Sequence, residues 1–199
     1  MIGTLATEAG RQGIITYMMT PDKDYGQLVS DNVFMYRPKH SGGFEVMGID
    51  EIKAKFNIRS TEQVIDMLGL MGDSSDNIPG CPGVGEKTAQ KLVAEFGSIE
   101  NLLAHTDQLK GALKTKVEAN REMITFSKFL ATIKVDVPIK LDMTTLVREE
   151  PDEEKLRKIF EELEFRTLID RVLKKSGAPL SSSVSYTHLR AHETTLHLV

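Results

Sequence analysis

The sequence predicts an α/β fold in which a short sheet precedes a mostly helical region. Residues 13–19, GIITYMM, form an apolar run with β-branched and aromatic members, which is typical of a buried strand. Two shorter strand candidates follow, Val33–Tyr36 and Phe44–Met47. From residue 60 onward, apolar side chains recur at helical spacing and glycines separate the segments, so this part is predicted to be helical.

Composition sets ordinary bounds on the class of protein. The chain has 199 residues, of which 40% are hydrophobic and 27% are charged, as expected for a globular protein of one or two small domains. No apolar run could span a membrane and no signal peptide is visible, so we expect a cytoplasmic protein without a membrane partner. The single cysteine, Cys81, fits a reducing compartment. The net charge of −4 does not exclude nucleic-acid binding, because carboxylates that hold metal ions count as negative until the ions bind.

The first predicted element is a helix. Ile2, Leu5, Ala6 and Ala9 have helical spacing, but no Ser, Thr, Asp or Asn precedes them as an N-cap. We therefore expect the chain to begin inside a helix and to be a fragment of a longer protein.

The strand at residues 14–19 leads into a first pair of carboxylates, Asp22 and Asp24. Open α/β sheets place their active sites just past the carboxyl ends of strands. The two aspartates are two residues apart, so in an extended chain their side chains point the same way. A D-x-D pair alone also fits a solvated turn. Lys23 between them is interpreted either as a phosphate contact or as a simple counter-charge.

A second pair of carboxylates strengthens the metal interpretation. Residues 60–63, STEQ, have the spacing of a capping box, and Val64, Met67 and Leu68 share one helical face. The predicted helix runs toward Asp73 and Asp76, a D-x-x-D pair suited to holding a hard divalent cation. Taken with the first pair, it favours a metal site over a solvated turn.

The acidic pair runs into a turn rich in glycine and proline. Residues 80–88, GCPGVGEKT, differ from a nucleotide-binding P-loop because Glu86 stands between the second glycine and Lys87, and because no strand precedes them. The turn opens into a helix, and backbone N–H groups at a helix start bind phosphate. A metal site beside a phosphate cradle indicates phosphodiester chemistry. The pattern P-G-x-G-x-K-T-A resembles the helix–hairpin–helix family, which grips the DNA backbone without reading bases.

The remaining elements are predicted to be helices. One runs from about Val84 to Phe96 and ends at Gly97, and Ser98 caps a short helix at Ile99–Leu103. Asp152 is expected to cap a later helix. Its apolar stripe is predicted to be core and comprises Leu156, Ile159, Phe160 and Leu163. A basic stretch between these helices either extends a DNA contact or forms a solvated face, and it contains Lys110, Lys114, Lys116, Arg121 and Lys128.

Two segments carry a closer resemblance. Residues 20–29, TPDKDYGQLV, and residues 64–103, VIDMLGLMGDSSDNIPGCPGVGEKTAQKLVAEFGSIENLL, resemble the 5′-nuclease domain of bacterial DNA polymerase I. Flap endonucleases and phage 5′-exonucleases share the pattern more distantly. The resemblance covers residues 1 to about 175.

This resemblance implies a metal-dependent 5′-3′ exonuclease or flap endonuclease acting in DNA replication and repair. The implied partner is duplex DNA with a nick or a 5′ flap. The implied cofactors are two divalent cations, Mg²⁺ or Mn²⁺, and a monovalent cation at the hairpin is a further possibility. The implied catalytic metal ligands are Asp22, Asp24, Asp73 and Asp76. The implied DNA-binding residues are Lys23, Gly83, Val84, Gly85, Lys87 and Thr88.

The resemblance also implies missing parts. The complete domain has an earlier half with further strands and an E-A-D-D motif, and a polymerase portion follows in the full protein. We therefore expect residues 1–71 to be a partial catalytic core, the C-terminal part of a PIN-like or resolvase-like sheet. Residues 72–175 are expected to be a helix–hairpin–helix and C-terminal helical DNA-binding region. The fragment alone is expected to lack about half of its metal ligands and to be inactive.

The last residues differ in composition from the rest. Residues 176–199 are interpreted as a linker, starting near Gly177, followed by a non-native or disordered tail, because SVSYTHLRAHET resembles translated sequencing adaptor. His188 and His192 are four apart and would suit a metal site on a helix, but no third ligand accompanies them.

Two alternatives from other classes stay open. One is a non-catalytic duplex-binding module built on the hairpin, with an incidental acidic cluster. The other is a standalone 5′-exonuclease whose chain ends after the helical region.

Overall fold

The structure is a computed structural model that describes residues 1–39 and 41–173. Its residues fall into two compact units, Met1–Met143 and a second that begins at Thr144. The histidines of the predicted tail and the linker from Gly177 lie outside the described residues. In the described part of the chain, no helix is both long enough and apolar enough to cross a membrane.

The first unit combines a small mixed sheet with helices. Its strands are β1 (Thr16–Met19), β2 (Val33–Pro38) and β3 (Phe44–Met47). Strand β1 pairs with β2 in parallel, with Thr16 opposite Val33, and β2 pairs with β3 antiparallel, with Met35 opposite Met47. The helices of this unit are α1 (Ile2–Arg11), α2 (Ile49–Phe56), α3 (Gln63–Met71), α4 (Glu86–Phe96), α5 (Ile99–Ala104), α6 (Gly111–Ala119) and α7 (Arg121–Ala131).

Strand β1 is shorter and more exposed than the sequence predicts. Ile14 N–H donates to Ala9 O at 3.0 Å, so the residues just before the strand close the end of α1. Within the described residues β1 pairs only with β2, and its side chains alternate, with Met18 buried and Tyr17 and Met19 exposed. One sheet face here is therefore open and carries stacked rings, such as Tyr36 and Phe44 at 4.6 Å between centroids.

Helix α3 is the centre of the core. Val64, Met67 and Leu68 are fully buried, as their shared face predicts. The helix begins at Gln63 rather than at the predicted cap, because residues 60–62 form turns. The capping geometry is half realised, since Gln63 Oε1 accepts from the Ser60 N–H at 3.3 Å.

A buried carboxylate fastens two later helices to α3. Asp66 Oδ1 accepts from the Ile99 N–H at 2.8 Å and from Lys128 Nζ at 2.6 Å. Lys128 also donates to Glu100 at 2.7 Å. Lys128 therefore serves the packing of α5 and α7 rather than a basic surface, which corrects its place in the predicted basic stretch.

Helices α4 and α5 agree closely with the helices predicted from the sequence. Helix α4 buries the predicted residues Ala89, Leu92, Val93 and Phe96 and ends at Gly97, whose φ is 81°. Ser98 caps α5, because its side chain accepts from the Asn101 N–H at 3.2 Å.

The second unit contains α8 (Glu153–Glu162) and α9 (Arg166–Leu173) in its described part. Asp152 caps α8 as predicted, accepting from the Lys155 N–H at 3.0 Å. The predicted core stripe is wrong, since Ile159 and Leu163 are 48% and 52% exposed and α8 has no buried residue. In the described part of this unit, the two short helices do not enclose the stripe.

Candidate functional site

Three of the four predicted metal ligands come together. Asp24, Asp73 and Asp76 each offer a carboxylate oxygen, and these oxygens all lie within 4.8 Å of one another. Asp24 and Asp73 are buried, whereas Asp76 is exposed. The cluster joins residues some fifty positions apart in the chain, so it is a product of the fold rather than of local sequence.

The loop that carries Asp73 is held on both sides. Helix α3 ends at Gly72, and the Asp73 N–H and the Ile78 N–H each donate to the carbonyl of the other residue, at 2.9 and 2.8 Å. Asp73 Oδ1 accepts from the Ser75 N–H at 2.8 Å, and Oδ2 accepts from the Lys23 ammonium. Gly80 N–H donates to Ser127 Oγ at 3.0 Å, so α7 supports the end of the same loop.

The first pair of carboxylates is arranged differently from the prediction. Asp22 precedes a 3₁₀ helix at Lys23–Leu28, and its Oδ1 accepts from the Asp24 N–H at 3.0 Å. The extended geometry assumed for the pair is therefore wrong, because only Asp22 has extended backbone and Asp24 already lies in the 3₁₀ helix that Asp22 caps. Asp22 lies on the wall of the cleft beside the cluster rather than within it.

Asp24 has an oxygen without a hydrogen-bond partner. Its Oδ1 is buried and accepts no hydrogen bond from the residues that the structure describes. Burial, with the nearby Asp22 carboxylate, raises the pKa of Asp24 to about 6. A buried acceptor without a donor is costly unless something else satisfies it.

Lys23 provides the local positive charge. Its ammonium pairs with Asp73 Oδ2 and lies 3.7 Å from Asp24 Oδ1. The hydrogen bond from Lys23 holds the pKa of Asp73 below its ordinary value. In this structure Lys23 is thus a counter-charge, the second of its two predicted roles.

These carboxylates fit a hard divalent cation. An ammonium sits between Asp24 and Asp73, and one carboxylate oxygen there lacks a donor. Carboxylate oxygens are the ligands that Mg²⁺ and Mn²⁺ prefer, and Mg²⁺ needs only one or two carboxylates because it keeps several waters.

The cluster opens into a cleft of about 420 Å³. Its lining consists of Pro21, Asp22, Lys23, Arg37, Lys55, Asp73, Ser75 and Asp76. Arg37 and Lys55 come from β2 and α2, and no motif singled them out. Both read as ordinary surface residues in the sequence, and only the tertiary fold brings them to the carboxylates.

The hairpin presents backbone groups at the start of α4. Gly83 has a φ of 76°, and Gly85 caps α4 with extended backbone. Within the described residues, no acceptor is found for the N–H groups of Gly83, Gly85, Glu86 and Lys87. Such a row of free N–H groups at a helix start can bind an anion by donating hydrogen bonds to it.

The residues of the hairpin are of two kinds, exposed and buried. Gly83, Gly85 and Lys87 are exposed, and Thr88 is half-buried, so all can face a ligand. Val84 is only 4% exposed and packs in the core, so among the predicted contacts it can offer only its backbone. Cys81 is likewise buried, and burial raises the pKa of its thiol, in agreement with a packing role.

Members of the basic stretch have separate roles. A Cβ placed on Gly83 would approach Lys116 Nζ to 2.5 Å, so the Lys116 side chain lies beside the hairpin turn. Arg121 donates to Leu103 O at 2.7 Å, and Lys114 lies 3.9 Å from Glu118. Lys116 therefore reaches the hairpin, whereas Arg121 contacts a backbone carbonyl and Lys114 lies near a carboxylate.

The sequence is similar to a 5′-3′ exonuclease family model and to part of bacterial DNA polymerases. Residues 59–154 match the family model described as 5′-3′ exonuclease, C-terminal SAM fold. DNA polymerase I of Bacillus subtilis is 42% identical over 179 residues, which is 89% of this chain and 20% of that protein. A thermostable DNA polymerase I of Thermus filiformis is 41% identical over 170 residues, which is 85% of this chain and 20% of that protein. The chain thus spans about a fifth of the length of these relatives.

Solved structures agree on the fold. Bacteriophage T5 5′-exonuclease with bound zinc has a TM-score of 0.57 and 22% identity, covering 65% of this chain and 47% of that one. The catalytic core of Rad2 in complex with a DNA substrate has a TM-score of 0.59 and 17% identity, covering 87% of this chain and 61% of that one. The predicted α/β 5′-nuclease fold is confirmed. With the family match and the sequence identities above, the chain is similar over most of its length to the 5′-3′ exonuclease region of bacterial DNA polymerase I.

Proposed function

We propose that this chain supplies metal-binding and DNA-binding parts of a structure-selective 5′-3′ exonuclease or flap endonuclease. The observation that carries the proposal is the acidic cluster, in which three carboxylates converge within 4.8 Å and one buried oxygen lacks a donor. The substrate class is duplex DNA with a nick or a 5′ flap, as in primer and flap removal.

The catalytic residues proposed are Asp22, Asp24, Asp73 and Asp76, which would hold two Mg²⁺ or Mn²⁺ ions. Asp24, Asp73 and Asp76 would bind directly, and Asp22, on the cleft wall, would act through water. Bound ions of this kind supply a water nucleophile and charge neutralisation at a phosphodiester. Lys23 neutralises Asp73 in this structure, and its ammonium is free for a phosphate oxygen once Asp73 binds a cation.

The hairpin is proposed to hold the duplex by its phosphates. The free N–H groups of Gly83 and Gly85 and the Lys87 side chain would contact backbone oxygens, with Thr88 and the backbone of Val84 beside them. A monovalent cation could share this turn. Contacts of this kind carry affinity without base preference.

The domain division is proposed on functional grounds. Residues 1–71 would belong to the catalytic core and residues 72–175 to the DNA-binding region, although the first unit shares one hydrophobic core across residue 72. In the longer relatives, an earlier half of the nuclease domain and a polymerase portion would complete the enzyme.

Replacing Lys87 tests the DNA-binding part. Lys87→Ala should weaken binding to all duplex sequences alike and flatten the dependence of log K on log salt by about 0.9, as expected for one lost phosphate contact. The measurement is fluorescence anisotropy of two unrelated duplexes over a range of salt concentrations. Lys53→Ala on α2 is the control, because Lys53 pairs with Asp50 at 3.8 Å. A change in preference between the duplexes would contradict contact through the backbone alone.

A further inference from the structure

Lys55 lies in the last turn of α2 and lines the same cleft as Asp73 and Asp76. Its side chain is half-buried. No motif in the sequence drew attention to it. Its position nevertheless places an ammonium in the cleft that the carboxylates of the metal site share.

The three cations of the cleft differ in what they bind. Lys23 pairs with Asp73, and Arg37 Nε donates to Glu45 Oε1 at 2.7 Å. In the part of the chain that the structure describes, Lys55 has neither a carboxylate within 4.0 Å nor a hydrogen-bond acceptor. It lies over the ring of Phe56, 5.4 Å from the centroid, and the Glu45 and Glu86 carboxylates attract it only from beyond 4.0 Å.

An ammonium that is half-buried and unpaired is unfavourable. Burial, with the like charge of Arg37, lowers the pKa of Lys55. Arg37 and Lys23 cannot relieve it, because both are cations and each already has its own carboxylate. The missing partner is therefore an anion that enters the cleft from solution.

The cleft also restricts which anion fits. Its lining also includes Asp22, Asp73 and Asp76, which repel an anion until cations bind to them. A phosphodiester suits this lining, since one oxygen can meet the ammonium and another can face cations held by the carboxylates. We infer that Lys55 binds a backbone phosphate of the DNA strand that enters the acidic cleft. This inference rests on the proposed nuclease function and adds a substrate-binding residue to it.

The experiment compares two DNA probes with the complete 199-residue chain. One probe is a blunt duplex, which would engage the hairpin, and the other is the same duplex with a 5′ flap, which would also place a strand in the cleft. Lys55→Ala should weaken binding to the flapped probe about tenfold, as expected for one charge-assisted contact, and leave the blunt probe unchanged. The salt slope for the flapped probe should fall by about 0.7 to 0.9.

Lys53→Ala is the matched control, since it removes a paired lysine from the same helix. Lys55→Met keeps the apolar stem against Phe56 and should behave like Lys55→Ala if charge is responsible. Melting temperatures of all variants exclude unfolding as the cause. Equal affinity of Lys55→Ala and Lys53→Ala for the flapped probe would overturn the inference, as would equal weakening of both probes.

The outcomes for Lys55 and for the nuclease proposal are separable. If wild type binds both probes and Lys87→Ala weakens both, the proposed DNA-binding function stands whatever Lys55 does. If wild type binds neither probe, both proposals fail. The inference is supported only if Lys55→Ala and Lys55→Met both lose affinity for the flapped probe and keep their affinity for the blunt probe, while Lys53→Ala keeps both.

Discussion

Asp73→Ala is expected to abolish most metal-dependent cleavage of a 5′-flap substrate while leaving duplex binding nearly intact. Asp73 belongs to the acidic cluster, and its Oδ2 pairs with the Lys23 ammonium. Losing one charge-stabilising carboxylate at a metal site should cost about 2.7 kcal/mol or more of transition-state stabilisation, on the order of a hundredfold in rate. The measurement is single-turnover cleavage at saturating Mg²⁺. The protein for this assay is the chain joined to the earlier half of the nuclease domain, which the resemblance to the longer relatives implies.

Asp50→Ala is the control for this experiment. Asp50 is an exposed carboxylate on α2 that pairs with Lys53, so its loss removes the same charge away from the cluster. Asp22→Ala should also slow cleavage, although Asp22 additionally caps the 3₁₀ helix. Wild-type cleavage rates in both Asp73→Ala and Asp22→Ala would refute the assignment of these carboxylates.

Gly80→Ala is expected to destabilise the first unit more than any surface change. Gly80 has a φ of 64°, and a Cβ there would strike the backbone of Gly72, lying 2.7 Å from its Cα. Left-handed backbone strain and a backbone clash together should cost about 3 kcal/mol, or roughly 10 °C in melting temperature. The measurement is thermal unfolding followed by circular dichroism.

Gly97→Ala separates the two contributions. Gly97 has a φ of 81°, but a Cβ there would meet no atom within 4 Å. It should therefore show the backbone strain alone, about 1 kcal/mol or roughly 3 °C. Equal decreases in melting temperature for Gly80→Ala and Gly97→Ala would mean that the close approach of residues 72 and 80 does not stabilise the acidic loop.

Local patterns predicted much of the fold. The strands β2 and β3, the helix after the hairpin and the caps at Ser98 and Asp152 follow from periodicity and capping chemistry, which act over a few residues. Strand β1 was predicted too long because an apolar run does not reveal that its first residues close α1. The α8 stripe was predicted to be core because an amphipathic pattern does not say what covers it.

The site was less predictable than the fold. The spacings of the two aspartate pairs pointed to a carboxylate cluster, and the structure brings three of the four aspartates together, Asp24, Asp73 and Asp76. The extended chain assumed from Asp22 to Asp24 was wrong because Lys23 and Asp24 lie in a 3₁₀ helix that Asp22 caps. Lys55 and Arg37 reach the cleft only through the packing of β2 and α2, so no local pattern could identify them.

Binding of Mn²⁺ to the 199-residue chain tests the metal site most directly. Electron paramagnetic resonance of free Mn²⁺ measures uptake, and the isosteric change Asp24→Asn with Asp73→Asn removes charge while preserving shape. We expect wild type and Asp50→Asn to take up Mn²⁺ saturably, and we expect Mg²⁺ to displace it. The double variant should bind Mn²⁺ at least on the order of tenfold more weakly. Equal uptake by wild type and the double variant would contradict a metal centre at Asp24, Asp73 and Asp76.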